Sequence, residues 1–257
     1  MTTESIFTNR LNELLLSEYT DDSLSDYTSI IPEIKDMIGF QQNTPYHYLD
    51  VWAHTVTSIF AAPADIVLRL TMLLHDIAKP KCYSEKDGVG HFYGHPHVSS
   101  DMAREILTRL KYDDEIIEAV TQLILYHDAI IQPRKKHIRR WLKKIGEEKF
   151  RQLIEIKRAD AMAQAEKYSR IKLDNLTKAL SVLDEILTEP PRFALKDLAV
   201  NGRDLIAIGI TDGVKIGFFL NQLLDMVLDG QIKNDKTALL ETVIFLSMPT
   251  DGEPASF

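Results

Sequence analysis

Histidine and aspartate side chains recur between residues 54 and 160, and most of them are embedded in apolar sequence. They are His54, the adjacent pair His75 and Asp76, His95, His127 and Asp160. Imidazole and carboxylate groups are ligands that hold Mn, Ni, Co, Fe, Zn or Mg ions in proteins. A buried imidazole or carboxylate without a partner is costly, and a shared metal ion removes that cost. The series therefore predicts one or two divalent metal ions as the cofactor of this chain.

The six candidates divide between two predicted metal positions. Four of them are expected to surround the first ion: His54, His75, Asp76 and Asp160. His95 and His127 are expected to hold a second ion, with the Asp76 carboxylate as the bridge. Two ions about 3.5–4 Å apart clamp a phosphoryl oxygen and lower the pKa of a water molecule, which is the chemistry of phosphoester hydrolysis. An alternative for the second pair stays open, in which both histidines bind substrate phosphate or hydrogen-bond to the ligands.

Asp76 and Lys79 are the residues expected to be catalytic. Lys79 follows Asp76 at i+3 spacing and can meet a phosphate at the metal centre. As an alternative, Lys79 is a solvated lysine that stabilises a helix end. His47, His91 and Arg158 are further candidates for substrate binding, although a surface position without a role is the competing interpretation for each of the two histidines.

Apolar residues recur at spacings of three and four, which is typical of helices that bury one face. Ile66, Leu70 and Leu73 illustrate this in one segment, and Val120 and Ile124 in another. Strand signals are poor, and the loop from 86 to 94 is the one with the character of a hairpin. We therefore predict an all-α fold, a helical bundle with a small C-terminal helical subdomain.

The strongest break in the chain lies at Glu189-Pro190-Pro191, because two prolines remove helix donors. We expect an N-terminal helical segment over residues 1–45, a main domain over 46–188 and a small helical subdomain over 192–249. In the last of these, a turn at 201–204 and a glycine at 230 are expected to begin and end short helices.

Charge is spread unevenly along the chain. The net formal charge is -8, yet the segment 134–158 carries 11 Lys and Arg against three Glu, a local +8. This segment can bind an RNA backbone or an extended nucleotide, with Trp141 as a stacking face. The alternative is a solvated amphipathic helix that turns Ile138, Trp141, Leu142 and Ile145 inward.

Composition narrows the class of protein further. Apolar residues make up 45% and charged residues 26% of the 257 residues, so disorder is excluded for most of the chain. The single cysteine, Cys82, excludes a disulfide framework and a Cys-rich zinc site. Neither a signal peptide nor a membrane span is expected from the apolar runs, and we expect a cytoplasmic protein.

The order H…HD…H…H…D, with gaps of 21, 19, 32 and 33 residues between successive sites, resembles the HD superfamily of metal-dependent phosphohydrolases. Three stretches, at 46–55, 69–80 and 90–95, look like the HD region of bacterial tRNA nucleotidyltransferases of the CCA-adding type. The stretches 197–205 and 213–217 are similar to the body segment that helps those enzymes to hold tRNA. The resemblance covers residues 40–245 and implies an HD-domain helical bundle followed by a body-like subdomain.

The nucleotide-binding head of those enzymes has no counterpart in this sequence. It carries a Gly-Ser turn and an Asp-x-Asp pair, and no Asp-x-Asp occurs among the 257 residues. We therefore expect a phosphohydrolase or phosphodiesterase, and not a nucleotidyltransferase. Its substrate is expected to be a nucleotide phosphomonoester or a 2′,3′-cyclic phosphodiester. The alternative is a non-catalytic RNA- or tRNA-binding or regulatory protein that retains a structural metal site.

Overall fold

The computed structural model describes residues 3–17, 23–188 and 194–247. The chain divides into two units, Met1–Ile186 and Leu187–Phe257, and each has its own hydrophobic core. Twelve α-helices and two short β-strands form the regular structure of the described residues. This confirms the all-α class predicted from the sequence.

The first unit contains helices α1–α9, one 3₁₀ turn and one β-hairpin in its described part. In chain order these are α1 (Thr3–Leu16), α2 (Ser23–Ile30), the 3₁₀ turn (Pro32–Met37), α3 (Val51–Ala61), α4 (Ile66–Leu74), α5 (Lys79–Cys82), β1 (Ser84–Lys86), β2 (Val89–His91), α6 (His95–Arg109), α7 (Asp114–Tyr126), α8 (Lys135–Met162) and α9 (Glu166–Thr188). None of the described helices is both long and apolar enough to cross a membrane.

Helix α4 lies in the middle of the first unit because its sequence, IVLRLTMLL, is apolar on nearly every side. It contacts α1, α3, α6, α7 and α8. A helix of this kind is stable when other helices surround it. The Asp65 side chain accepts a hydrogen bond from the Leu68 backbone N–H at 3.0 Å and caps the first turn. The surrounded helix α4 ends at Leu74. The next two residues, His75 and Asp76, are therefore buried inside the bundle as well.

The N-terminal helices belong to the same core as the rest of the first unit. Leu11, Leu15, Tyr27 and Ile34 are buried in one cluster with the residues of α4 and α7. The predicted boundary at residue 45 stays a prediction. The predicted break at Glu189-Pro190-Pro191 lies outside the described residues.

The hairpin predicted around residues 86–94 is present, and it packs against the segment before α3. Asp87 and Gly88 form its two-residue loop with φ angles of 53° and 75°, the left-handed values that such a loop requires. The backbone N–H of Gly90 donates to the Asn43 carbonyl at 2.9 Å. A Cβ atom on Gly90 would lie 2.2 Å from the Gln42 carbonyl oxygen, so this close approach depends on glycine.

The basic segment 134–158 forms most of α8, which bends at Gly146, where φ is 76°. Trp141 is only 7% exposed and its ring packs against Tyr126 at a centroid distance of 5.4 Å. The prediction of Trp141 as a stacking face for RNA is therefore wrong, because the ring is used in the core. The inward-facing interpretation of this helix is confirmed for Ile138 and Trp141.

The second unit is a small helical assembly with a core of its own. Its described elements are a 3₁₀ turn (Leu195–Asp197), α10 (Gly202–Ala207), α11 (Gly213–Leu228) and α12 (Lys236–Ser247). Asn201 caps α10 through the Arg203 backbone N–H, and Asp212 caps α11. The Asn201 cap occurs at the turn expected from the sequence, and Gly230 has the left-handed φ of 67° expected after α11.

The close approach at Gly90 leads to a prediction about stability. Gly90→Ala is expected to lower the free energy of unfolding by about 1–3 kcal/mol, because the added methyl group meets backbone that cannot move aside without distorting the hairpin. Gly217→Ala is the control, since its Cβ would meet nothing within 4 Å and alanine is favoured in a helix interior. Urea denaturation monitored by circular dichroism measures the free energy of unfolding of both variants. Equal stability of Gly90→Ala and wild type would contradict the close approach.

Candidate metal centre

The core of the first unit contains a cluster of polar side chains that come from separate elements. The structure brings together all six residues predicted as metal ligands: His54 on α3, His75 and Asp76 directly after α4, His95 at the start of α6, His127 directly after α7, and Asp160 on α8. Five of the six are buried, and the Asp160 side chain is 19% exposed.

The cluster consists of two groups of three residues. One is His54, His75 and Asp160, and the other is Asp76, His95 and His127; within each group the ligand atoms lie within 4.8 Å of one another. The predicted division differs: there Asp76 is a ligand of the first ion, together with His54 and His75, and bridges to the second ion.

Asp76 nevertheless lies between the two groups, and each of its carboxylate oxygens faces one pair of histidines. Oδ2 lies 3.1 Å from His75 Nε2 and 3.6 Å from His54 Nε2. Oδ1 lies 3.4 Å from His95 Nε2 and 3.8 Å from His127 Nε2. A carboxylate that joins two metal positions needs this arrangement.

Backbone carbonyl groups orient the histidine rings. In each ring Nδ1 donates to a carbonyl oxygen: His75 to Met72 at 2.7 Å, His95 to Phe92 at 2.8 Å, His127 to Ile124 at 2.6 Å and, at a longer 3.3 Å, His54 to Ala163. A carbonyl oxygen only accepts, so the hydrogen bond places the ring hydrogen on Nδ1. In the neutral form of such a ring, Nε2 presents its lone pair to the centre of the cluster.

This orientation brings uncompensated groups together. His95 Nε2 and His127 Nε2 lie 3.2 Å apart, so two lone pairs face each other. Three further buried atoms have no well-aligned hydrogen bond within the described residues. Asp76 Oδ2 is ion-paired with Lys79, whereas Asp76 Oδ1 and His75 Nε2 face only other members of the cluster. Buried polar atoms without partners are costly, and a divalent cation would satisfy all of them. Four imidazoles and two carboxylates suit first-row divalent metals, so the residues present fit such a group.

Electrostatics keep the two carboxylates of the cluster ionised, and, although burial alone would lower the pKa of His75, Asp76 raises it. Burial alone would raise the pKa of the Asp76 carboxyl, but the neighbouring His75 and Lys79 outweigh burial and hold this pKa well below its usual range. Burial is likewise outweighed at Asp160, where the neighbouring His54 keeps the pKa of the carboxyl well below its usual range. Burial and the neighbouring His75 lower the pKa of His127 to about 3. Near pH 7 both carboxylates are therefore ionised and His127 is neutral.

Lys79 is part of the cluster. Only 6% of it is exposed, and its Nζ lies 2.7 Å from Asp76 Oδ2. It also donates to Gln42 Oε1 at 2.8 Å and lies 5.3 Å from the centre of the Phe92 ring. The alternative of a solvated lysine at a helix end is therefore wrong, because the ammonium group balances the buried carboxylate.

An open cavity of about 570 Å³ leads from the surface to the cluster, with Asp76, Lys79, His95 and His127 among the residues that line it. Two predicted substrate-binding residues, His47 and His91, also line this cavity. Arg158, the third, is not one of its lining residues.

The structure adds residues that the sequence analysis did not identify. Gln164 donates to Asp160 Oδ2 at 2.9 Å and accepts from Lys172 at 2.7 Å. Lys157 donates to the His127 carbonyl at 2.5 Å. The i+4 spacing of Gln164 from Asp160 is the one sequence signal for this set, and it is a weak one because such pairs are common on helices.

Comparison with known proteins identifies tRNA nucleotidyltransferases that are similar to this chain. Among curated proteins it is similar to the CC-adding tRNA nucleotidyltransferase of Thermus thermophilus, at 26% identity over 217 residues, which covers 81% of the chain and 48% of the relative. It is also similar to the A-adding tRNA nucleotidyltransferase of Deinococcus radiodurans, at 26% identity over 222 residues, with 81% and 49% covered. The chain thus spans about half the length of the curated relatives it matches.

A family model gives the assignment. Residues 92–243, more than half of the chain, match the model described as tRNA nucleotidyltransferase domain 2. The matched range includes His95, His127 and Asp160, and it begins after the other three residues of the cluster. The match agrees with the resemblance to tRNA nucleotidyltransferases that the sequence motifs indicate. The chain belongs to the tRNA nucleotidyltransferase domain 2 family.

Proposed function

We propose that this chain is a divalent-metal-dependent phosphohydrolase of the HD type that cleaves nucleotide phosphomonoesters or 2′,3′-cyclic phosphodiesters. One observation carries the proposal: four imidazoles and two carboxylates converge at the end of an open cavity. Three of the imidazoles are oriented by short bonds to backbone carbonyls. A site that only stabilised the fold would not need an opening of this size.

The six clustered residues would hold the metal, with Asp76 shared between the two groups. Bound divalent ions supply Lewis-acid polarisation of the phosphate and a lower pKa for water. Hydrolysis forms a bond between the water oxygen and phosphorus, breaks the ester P–O bond and leaves a proton on the departing oxygen. The residues of this chain hold the phosphate in line for that exchange.

Lys79 is proposed to bind a phosphate oxygen. An ammonium group has three N–H donors, and Asp76 and Gln42 engage two of them. The third can reach a phosphate because Lys79 lines the cavity. His47 lies beside it; burial and the charge of Lys79 lower the pKa of His47 to about 3, so a neutral imidazole is available for hydrogen bonding.

Metal content tests the shared position of Asp76. Asp76→Asn is expected to lose metal from both groups, because one carboxylate faces both pairs of histidines, whereas His127→Gln is expected to retain the ion held by His54, His75 and Asp160. Elemental analysis of the purified chain measures this. Asp174→Asn is the control, since this exposed carboxylate pairs with Lys178. Equal metal loss in the Asp76 and His127 variants would count against the shared position.

Hydrolysis tests the reaction itself. With Mn, Ni, Co or Mg, wild type is expected to hydrolyse bis-p-nitrophenyl phosphate, 2′,3′-cyclic nucleotides or nucleoside monophosphates. His75→Ala combined with Asp76→Ala is expected to lower the rate by about 10³-fold or more, since Lewis-acid stabilisation is lost. No turnover with any of these metals, or equal rates in both chains, would refute the proposal. Binding of tRNA without turnover would instead support the non-catalytic alternative.

Lys79 can be tested separately from the metal. Lys79→Met is expected to lower kcat by about 10²-fold, the usual effect of removing one stabilising donor, with metal content unchanged. Lys81→Met is the matched control, because Lys81 is exposed and only two residues away. Steady-state kinetics with elemental analysis make the comparison. Wild-type kcat in Lys79→Met would show that Lys79 only balances charge.

A further inference from the structure

Two aromatic side chains of the hairpin form a stacked pair in the wall of the cavity. The rings of His91 and Tyr93 lie 5.3 Å apart and are nearly parallel, with an interplanar angle of 6°. Tyr93 is 77% exposed, and both residues line the cavity that reaches Asp76. A large aromatic ring exposed to this extent beside a polar site is available to stack on a ligand.

The stacked pair is held in a fixed position relative to the cluster. On one side, the N–H of Gly90 donates to the Asn43 carbonyl at 2.9 Å, which ties β2 to the segment before α3. On the other side, His95 Nδ1 donates to the Phe92 carbonyl at 2.8 Å. Phe92 lies between the two stacked residues in sequence, so the hydrogen bond that orients a clustered histidine also holds this part of the chain.

The cavity has the size and lining expected for a small organic phosphate. About 570 Å³ lies within the range of small-molecule sites, roughly 300–1,000 Å³. One end has the charges of Asp76 and Lys79, whereas Tyr93 and Tyr46 contribute rings elsewhere in the lining. Tyr46 packs edge-on against Tyr168 at a centroid distance of 4.7 Å. A ligand that matches this lining has a phosphate and a flat aromatic group.

We propose that Tyr93, supported by His91, stacks on the nucleobase of a ligand whose phosphate lies at the clustered histidines and carboxylates. The proposal rests on the proposed function for the position of the phosphate, and it adds the residue that selects esters bearing a base over esters without one. Every base has an aromatic face, so stacking selects for the presence of a base rather than for its identity.

Binding of two matched probes tests this. Adenosine 5′-monophosphate and ribose 5-phosphate share sugar and phosphate and differ by the base. With the full chain and Mn²⁺, the nucleotide is expected to bind about tenfold more tightly, as base–aromatic stacking predicts. Dissociation constants from calorimetry make the measurement, and KM replaces them where the ester is hydrolysed.

Variants assign the preference to Tyr93. Tyr93→Ala is expected to remove most of the preference for the nucleotide and to leave the affinity for ribose 5-phosphate unchanged, whereas Tyr93→Phe retains the preference. Tyr48→Ala is the matched control, because Tyr48 is also an exposed tyrosine, at 66%, and does not line the cavity. Equal affinity of wild type for both probes, or an undiminished preference in Tyr93→Ala, overturns the proposal.

The outcomes separate this proposal from the proposed function. Hydrolysis without preference for the base leaves the phosphohydrolase standing and removes the role of Tyr93. A preference for the base that depends on Tyr93, without hydrolysis, supports the role of Tyr93 and refutes the phosphohydrolase. A base next to a phosphate also occurs at the end of an RNA strand, so a 3′-phosphorylated RNA octamer serves as a further probe. Tighter binding of the octamer than of the mononucleotide, with the same dependence on Tyr93, identifies an RNA end as the source.

Discussion

The hydrogen bonds from histidine Nδ1 atoms to backbone carbonyls are the interaction on which the clustered site depends. For His75 and His127 the acceptors are Met72 and Ile124, which lie in the last turns of α4 and α7. Carbonyls in the last turn of a helix lack their usual N–H partner four residues on. A histidine directly after the helix supplies a donor, and the same bond turns its Nε2 inward. The same hydrogen bond therefore satisfies a carbonyl at the end of the helix and orients the histidine.

The position of His75 and Asp76 follows from the burial of helix α4. A helix that is apolar on nearly every side must be surrounded, so its C-terminal end is buried as well. His75 and Asp76 follow that end and would be costly there alone. Lys79, whose Nζ lies 2.7 Å away, compensates Asp76, and a cation between the two carboxylate oxygens and the histidine pairs that they face would compensate it further. The buried charge and the candidate metal positions thus follow from the burial of a single helix.

The sequence could predict most of the clustered residues because they are polar residues within apolar runs. A histidine or an aspartate within an apolar run, such as His54 or Asp160, needs a partner, and that need is visible without a structure. Gln42 and Tyr93 give no such signal, because glutamine and tyrosine are ordinary residues in loops. The role of Gln42 depends on Lys79, 37 residues away, and only the fold joins them. At Trp141 helical periodicity allowed two interpretations, and burial against Tyr126 decided between them.

The segment after β2 separates a buried histidine of the cluster from the exposed ring that we propose to stack on a ligand. His95 belongs to α6 and faces Asp76, whereas Tyr93, two residues earlier, lies in the cavity wall. Gly94 joins them with a φ of 76°, a left-handed conformation that glycine adopts without strain. Because the Phe92 carbonyl accepts a hydrogen bond from His95, the chain cannot swing away at this point. An exposed ring at position 93 can therefore vary in size or polarity while the buried imidazole at position 95 keeps its orientation.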